Sequence, residues 1–164
     1  MPELPETETI ARDLDRMIAG RQVTDVRVLR PDVLRLLSGP AIATQLTGST
    51  IVRSWRRAKS VVLDMVDGHR ILVQPRFTGV LSVLGALPVA PSIPHECVRL
   101  ELDDGRALVY SDVRRLGTFT VATPAQFSDI NSTLGVEPLD REFTPDRLSG
   151  ILRGSGKVVK ALLM

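Results

Sequence analysis

The sequence predicts an α+β protein, mainly β: an antiparallel eight-stranded β-sandwich flanked by an N-terminal helix and C-terminal helices. Three observations predict this fold. An amphipathic stretch opens the chain, short alternating runs of polar and apolar residues follow, and helix signals return after Thr123. The composition suits a globular domain, because 43% of the 164 residues are hydrophobic and 24% are charged.

Residues 5–19 are predicted to form the first helix, and Gly20 is predicted to end it. Its apolar residues recur at the helical repeat and share one face. They are Ile10, Leu14, Met17 and Ile18.

The eight predicted strands are short and rich in Val, Leu and Ile. They are Val23–Leu29, Ile51–Arg56, Ser60–Met65, Arg70–Val73, Val80–Val83, Cys97–Leu102, Ala107–Tyr110 and Thr118–Val121. Asp67-Gly68 and Asp104-Gly105 predict hairpin turns between neighbouring strands. Three prolines within 85–94 predict a loop.

The C-terminal part is predicted to contain two short helices and the beginning of a third. A short helix is predicted from Pro124 to about Asn131, and another over 142–152 with Thr144 as its N-cap. A third apolar segment, 158–164, runs to the end of the sequence. We therefore expect a sandwich domain over 1–135, followed by a linker and the start of a second, truncated helical domain over 136–164.

Arginine dominates the basic residues, with 18 arginines against 3 lysines and a net charge of +2. Arginine binds phosphate and guanine with two hydrogen bonds, so the bias fits nucleic-acid binding, although a G+C-rich genome would produce the same bias. One cysteine, Cys97, excludes an internal disulfide and favours a reducing, intracellular setting. No apolar run is long enough to span a membrane, and no secretory signal is evident.

The extreme N-terminus carries the residues with the clearest chemistry. Removal of Met1 would leave Pro2 with a free secondary amine, with Glu3 and Glu6 close by on the first helical turn. Such an amine can form an iminium with a sugar aldehyde while carboxylates move protons. The same residues are also ordinary at a helix start, where proline and acidic side chains are favoured.

The opening MPELPETET closely resembles the signature of the formamidopyrimidine-DNA glycosylase family, which removes oxidised purines from DNA. Further segments resemble family motifs in the family's order. They are Arg56-Arg57-Ala58-Lys59, Thr78-Gly79-Val80-Leu81, Asp112-Val113-Arg114-Arg115-Leu116-Gly117, Leu134-Gly135-Val136-Glu137-Pro138-Leu139 and the segment 157–164.

The resemblance implies catalytic roles. Pro2 would attack the anomeric carbon of the sugar, and Glu3 would manage protons on the opening ring. Glu6 would orient the amine or hold the helix start. Lys59 would contact a phosphate beside the lesion, unless it is simply a solvated turn lysine. Lys160 matches a lysine that the family brings near the lesion; alternatively, it lies on the polar side of an amphipathic helix.

The resemblance also implies a set of residues that enter the duplex. Phe77 stands in place of a methionine that fills the space of the flipped nucleotide, and Leu116 stands in place of a phenylalanine wedge. Arg114, followed by Arg115, would hydrogen-bond the orphaned cytosine. The alternatives are a core aromatic at Phe77 and a solvent-exposed basic turn at the arginines. We hypothesise that the aromatic ring has exchanged places between positions 77 and 116, so that swapping the two residues would leave lesion opening roughly unchanged.

The implied function is a bifunctional glycosylase and AP lyase that removes 8-oxoguanine and formamidopyrimidines through a proline Schiff base and β,δ-elimination. Its partner would be double-stranded DNA with an oxidised base or abasic site, bound by a monomer in the bacterial cytoplasm, at the nucleoid. No cofactor is expected in this chain. His69, His95 and Cys97 lack a metal-ligand spacing, and the family's zinc finger would lie beyond residue 164. Two alternatives remain: an endonuclease VIII-like enzyme for oxidised pyrimidines, and a non-catalytic damaged-DNA-binding fragment.

Overall fold

The computed structural model describes residues 3–85 and 92–159. Pro2, Lys160, most of the predicted loop 85–94 and the end of the predicted segment 158–164 lie outside the described residues. The chain divides into two compact units, residues 1–131 and 132–164. The sequence predicts the division between residues 135 and 136.

Helix α1 spans Leu4–Ile18 and packs against the sheet through one face. Leu14 and Ile18 lie on that face, as predicted, but Met17 is exposed. The buried face continues instead toward the N-terminus, through Thr7 and Ala11. Because threonine and alanine are only weakly hydrophobic, the sequence pattern places the buried face of the helix nearer its C-terminus than the structure does.

Within the described residues there are nine strands, eight of which correspond to the predicted ones. They are β1 (Val23–Val28), β2 (Leu34–Arg35), β3 (Ile51–Arg57), β4 (Ser60–Met65), β5 (Arg70–Gln74), β6 (Gly79–Leu84), β7 (Glu96–Leu102), β8 (Ala107–Asp112) and β9 (Thr118–Ala122). Both predicted Asp-Gly turns join paired strands, and Gly68 and Gly105 adopt the positive φ that such turns favour.

The strands form two sheets that share one core. The four-stranded sheet has the order β1-β7-β8-β6, and the five-stranded sheet has the order β2-β9-β5-β4-β3. All pairs are antiparallel except β2 with β9. Side chains from both sheets, from α1 and from the helix at Gly39–Leu46 make a single buried cluster. This is the predicted sandwich with one extra short strand.

The five-stranded sheet is covered on its other face as well. Helix α3 (Pro124–Ser132) buries Phe127 against Val62 and Leu72, and the Phe127 ring meets Trp55 edge-on, with the ring centroids 6.0 Å apart. Burial on both faces explains the continuous apolar runs in β4 and β5.

The segment between β1 and β3 contains the elements that the sequence analysis did not predict. It forms a 3₁₀ turn (Pro31–Val33), strand β2 and helix α2 (Gly39–Leu46). Strand β2 has two residues, which is too short for any periodicity to be visible. Helix α2 has a recognisable N-cap, Ser38, whose hydroxyl accepts a hydrogen bond from the Ala41 N–H.

The second unit contains helix α4, Pro145–Arg153. Its N-cap is Thr144, as predicted, and the threonine hydroxyl accepts a hydrogen bond from the Arg147 N–H at 3.2 Å.

Candidate active site and nucleic-acid interface

The first turn of α1 is fixed by hydrogen bonds around Glu3. The Glu3 N–H donates to the Glu6 carboxylate at 2.9 Å, and the Thr7 hydroxyl donates to the Glu3 carbonyl at 2.7 Å. Hydrogen bonds from the backbone N–H groups of Glu6 and Glu3 lower the pKa of the Glu6 carboxyl. Glu6 therefore closes a capping box with Glu3 at the start of α1.

Glu3 and Lys59, which are far apart in the sequence, form an ion pair. The Lys59 Nζ lies 2.7 Å from the Glu3 Oε2, and both side chains remain partly exposed. Lys59 stands in a two-residue turn between β3 and β4, because Arg57 pairs directly with Ser60. Lys59 is thus a partly exposed turn lysine whose ammonium group is paired with a carboxylate. The fold places an ammonium group beside the residue that follows Pro2 in the sequence.

A buried arginine connects this turn to α1. The Arg56 side chain is 3% exposed, and its Nε lies 2.8 Å from the Glu8 Oε2. Its Nη1 donates to the carbonyl of Ala58 at 2.9 Å. Arg56 therefore links the helix to the backbone of the residue before Lys59. The sequence analysis singled out Lys59 from this motif and gave Arg56 no role.

Phe77 and Arg114 form a second, exposed group. Phe77 is 55% exposed, and the guanidinium carbon of Arg114 lies 5.4 Å from the centroid of its ring. This is within the range of a cation–π contact. The alternative that Phe77 is a core aromatic is therefore wrong. Leu116, which the sequence also predicts to contact DNA, is 40% exposed.

Phe77 and Arg114 lie on two loops that cross between the sheets. The first crossing loop (75–78) leads from β5 to β6, and the second crossing loop (113–117) leads from β8 back to β9. The loops run side by side, because β5 pairs with β9 and β6 pairs with β8.

Asp112, at the end of β8, is a buried carboxylate that joins the two crossing loops. Its Oδ1 accepts hydrogen bonds from the Thr78 hydroxyl and from the Arg114 N–H, the latter at 3.1 Å. Its Oδ2 accepts from the Tyr110 hydroxyl at 3.1 Å and from the Gly117 N–H at 2.9 Å. Burial alone would raise the pKa of Asp112, but these hydrogen bonds outweigh it and lower the pKa.

Arg115 departs from its neighbour Arg114. It adopts a positive φ of 52°, and its Nη1 lies 3.2 Å from the Asp32 Oδ2. With Arg30 and His95 it lines an open depression beside the second crossing loop. The two adjacent arginines therefore have different partners, which the sequence pattern did not indicate.

Two glycines of the predicted motifs are required by close contacts. A Cβ on Gly117 would overlap the Tyr110 hydroxyl and lie 2.6 Å from the Gln74 carbonyl oxygen. A Cβ on Gly79 would overlap the carbonyl oxygen of Pro75. The crossing loops approach the neighbouring backbone too closely for any side chain at these positions.

The structure thus brings together Glu3 with Lys59, and Phe77 with Arg114, and it leaves Arg115 with Asp32. Among residues 3–85 and 92–159, no cluster of three or more His, Cys, Asp or Glu could hold a metal ion. No helix in that same part of the chain is long and apolar enough to cross a membrane.

The fold is that of the N-terminal domain of a DNA glycosylase. The structure of the Lactococcus lactis formamidopyrimidine-DNA glycosylase bound to DNA containing an AP site superposes with a TM-score of 0.86 at 29% identity, over 98% of this chain and 61% of that one. A complex of the same bacterial enzyme with DNA containing an oxidised pyrimidine gives a TM-score of 0.85 at 30% identity, over 99% of this chain and 60% of that one.

Residues 1–119 match the model of the formamidopyrimidine-DNA glycosylase N-terminal domain, and the chain belongs to the formamidopyrimidine-DNA glycosylase family. It is 35% identical over 173 residues to the formamidopyrimidine-DNA glycosylase of Cereibacter sphaeroides (strain ATCC 17025 / ATH 2.4.3). It is 37% identical over 166 residues to that of Xanthomonas axonopodis pv. citri (strain 306). The alignments cover all of this chain but only 60% and 59% of these relatives.

Proposed function

We propose that this chain is the catalytic domain of a DNA glycosylase and AP lyase that excises oxidised purines. The observation that carries the proposal is the ion pair between Glu3 and Lys59. In this proposal Glu3 would transfer protons and Lys59 would bind phosphate, and the pair lies at the start of α1, next in sequence to Pro2. Family membership and the solved DNA complexes of similar proteins support the same reaction.

In the proposed reaction Pro2, freed of Met1, is the nucleophile. Its nitrogen forms a bond to the anomeric carbon while the bond to the damaged base breaks and the base leaves with the electron pair. Ring opening gives an iminium, in which the nitrogen accepts electrons and acidifies the adjacent carbon. Glu3 exchanges protons with the sugar oxygen. Loss of the 3′ and then the 5′ phosphate completes two eliminations.

Lys59 has a second role in this proposal. Its ammonium would leave Glu3 and bind the phosphate next to the lesion, which leaves the carboxylate free to act on the sugar. Phe77 would fill the space of the extruded nucleotide, with Leu116 as a second, smaller wedge. Arg114 would hydrogen-bond the orphaned cytosine, and Arg115 would keep its pair with Asp32. The cost of unstacking a base is a few kcal/mol, and an inserted side chain offsets part of it.

The proposal also assigns the C-terminal segment, the DNA partner and the cellular location. Residues 136–164 would begin a helix-two-turn-helix domain, in which Lys160 approaches the lesion. The partner would be double-stranded DNA at the bacterial nucleoid, in the cytoplasm, bound by a monomer. Because the chain spans about 60% of its curated relatives, we expect weak, salt-sensitive DNA binding from the chain alone.

Borohydride trapping tests the proposal. The protein is incubated with labelled duplex DNA that contains 8-oxoguanine opposite cytosine, and intact mass establishes that Met1 has been removed. We expect a covalent adduct, which is abolished when an N-terminal extension leaves Pro2 as an amide. We also expect Glu3→Gln and Lys59→Met to lower the trapping rate by about 100-fold, whereas the matched control Lys157→Met retains it.

Two other outcomes would replace this reading. DNA binding without an adduct would identify a non-catalytic damaged-DNA-binding fragment. The solved complex of a similar protein with DNA that contains an oxidised pyrimidine makes a second substrate worth comparing. Faster trapping on an oxidised pyrimidine than on 8-oxoguanine would assign the chain to endonuclease VIII-like specificity.

A further inference from the structure

We propose that Asp112 is a positioning residue that locks the two crossing loops together, so that Phe77 and Arg114 enter the duplex as one unit. This inference rests on the proposed function, because it assumes that these two side chains contact DNA. Asp112 itself is 2% exposed and cannot reach DNA. It would act only through the loops that it joins.

The hydrogen bonds of Asp112 reach the immediate neighbourhood of both side chains. The Thr78 hydroxyl, next in sequence to Phe77, donates to Oδ1, and the backbone N–H of Arg114 itself donates to the same oxygen. That N–H also lies 3.1 Å from the Thr78 hydroxyl oxygen. One carboxylate oxygen, one hydroxyl and one backbone N–H therefore form a closed triangle between the loops.

The second carboxylate oxygen fixes the far end of the second crossing loop. It accepts from Gly117 and from Tyr110, so Asp112 holds the loop where it begins and where it ends. Each loop also contains an arginine in the left-handed region, Arg76 at φ 54° and Arg115 at φ 52°. Such conformations persist only where surrounding contacts impose them. The hydrogen bonds of Asp112 to Arg114 and Gly117 flank Arg115, and its hydrogen bond from Thr78 lies two residues from Arg76.

The chemistry of the site requires a carboxylate. Two of the four donors are backbone N–H groups, one on each oxygen, and neither can accept a hydrogen bond. An asparagine has one acceptor oxygen and one NH₂ group. Asp112→Asn would therefore turn its NH₂ group either toward the Gly117 N–H, which would lose its acceptor, or toward the Arg114 N–H, which would keep only the Thr78 hydroxyl oxygen. The substitution leaves the side-chain volume nearly unchanged, so it tests the charge and the hydrogen bonds of the carboxylate separately from packing.

The test compares two DNA substrates with each variant. Duplex DNA with 8-oxoguanine opposite cytosine requires the base to be extruded, whereas a single-stranded abasic site is already unstacked. The quantity measured is the single-turnover trapping rate on the duplex divided by that on the single strand. A role in folding alone would lower both rates equally and leave this ratio unchanged.

We expect Asp112→Asn to lower the duplex rate by about 10- to 100-fold relative to the single-strand rate, since hydrogen bonds to a charged group are lost. Thr78→Val, which removes the hydroxyl, should lower the ratio in the same direction, and Thr78→Ser should restore it. The Thr78 variants keep the test decisive if the Asp112 variant does not fold.

An unchanged ratio in both Asp112→Asn and Thr78→Val would overturn the inference. This failure is distinguishable from failure of the proposed function. If the unsubstituted chain does not trap the single-stranded abasic site, the proposed function fails, and this inference fails with it. If the unsubstituted chain traps both substrates and the ratio does not respond to the variants, only the role of Asp112 is refuted.

Discussion

Replacement of Arg56 tests whether a buried guanidinium holds the candidate active site together. The side chain is 3% exposed and binds both Glu8 and the carbonyl of Ala58. Breaking a buried ion pair by removing one partner costs about 3–5 kcal/mol. Here the cost falls at the lower end, because the remaining Glu8 carboxylate is partly exposed and also binds Arg12 at 2.8 Å.

We therefore expect Arg56→Met to lower the free energy of unfolding by about 3 kcal/mol, which corresponds to a fall in Tm of about 6–12 °C for a chain of this size. Urea unfolding and a thermal scan measure the two quantities. The matched control is Arg16→Met on the same helix, where the pair with Asp13 is exposed and the expected change is below about 0.5 kcal/mol.

A double-mutant cycle identifies the interaction. Arg56→Met and Glu8→Gln should be non-additive, with a coupling energy of about 1–3 kcal/mol. Trapping by Arg56→Met should also decline at a temperature where the variant is folded, because the turn that carries Lys59 loses its connection to α1. The reasoning is refuted if Arg56→Met costs less than 1 kcal/mol more than the Arg16 control, or if the two substitutions are additive.

Three further predictions concern the crossing loops. Gly117→Ala should destabilise the protein by more than about 3 kcal/mol. Adding Tyr110→Phe should recover part of that loss, because it removes the hydroxyl oxygen that the new Cβ would overlap. Equal stability of the single and double variants would contradict this. Asp112 has a lowered pKa in the folded protein. The stabilisation from its carboxylate is therefore present above its ordinary pKa of about 4 and is lost as the pH falls through the lower folded value. The difference in unfolding free energy between the wild type and Asp112→Asn should shrink below about pH 4, and a pH-independent difference would be inconsistent with this. Phe77→Ala should change stability by less than about 1 kcal/mol, whereas Leu100→Ala, in the core, should cost about 2–5 kcal/mol; a large loss at Phe77 would mean that its ring serves packing instead of DNA.

Most of the fold follows from local patterns in the sequence. The eight longer strands were predicted from short apolar runs and from the two Asp-Gly turns, and Thr144 was recognisable as an N-cap. Strand β2 was missed because its two residues are held by pairing with β9, which no local pattern encodes. Met17 is predicted to lie on the buried face of α1 but is exposed, because that face continues through Thr7 and Ala11, which are only weakly hydrophobic.

The candidate site was predicted only in part, because its contacts are long-range. Motif resemblance indicated Lys59, but its pairing with Glu3 depends on how α1 crosses the β3–β4 hairpin. Arg56 and Arg57 are indistinguishable as a dipeptide; the fold buries the first against Glu8 and directs the second to Asn131 on α3, at 2.6 Å. The catalytic and DNA-binding roles proposed for all of these residues, and for Pro2 and Lys160, stay predictions.

The shortness of the β3–β4 turn limits how this domain can vary in length. Ala58 and Lys59 alone connect the strands, and Ala58 already adopts a positive φ of 52°. One inserted residue would alter the register of the hairpin or rotate the ammonium group away from the helix. We expect natural insertions and deletions to be tolerated in loops distant from α1 and to be excluded here, so that a change of one codon would separate Lys59 from Glu3 without replacing either side chain.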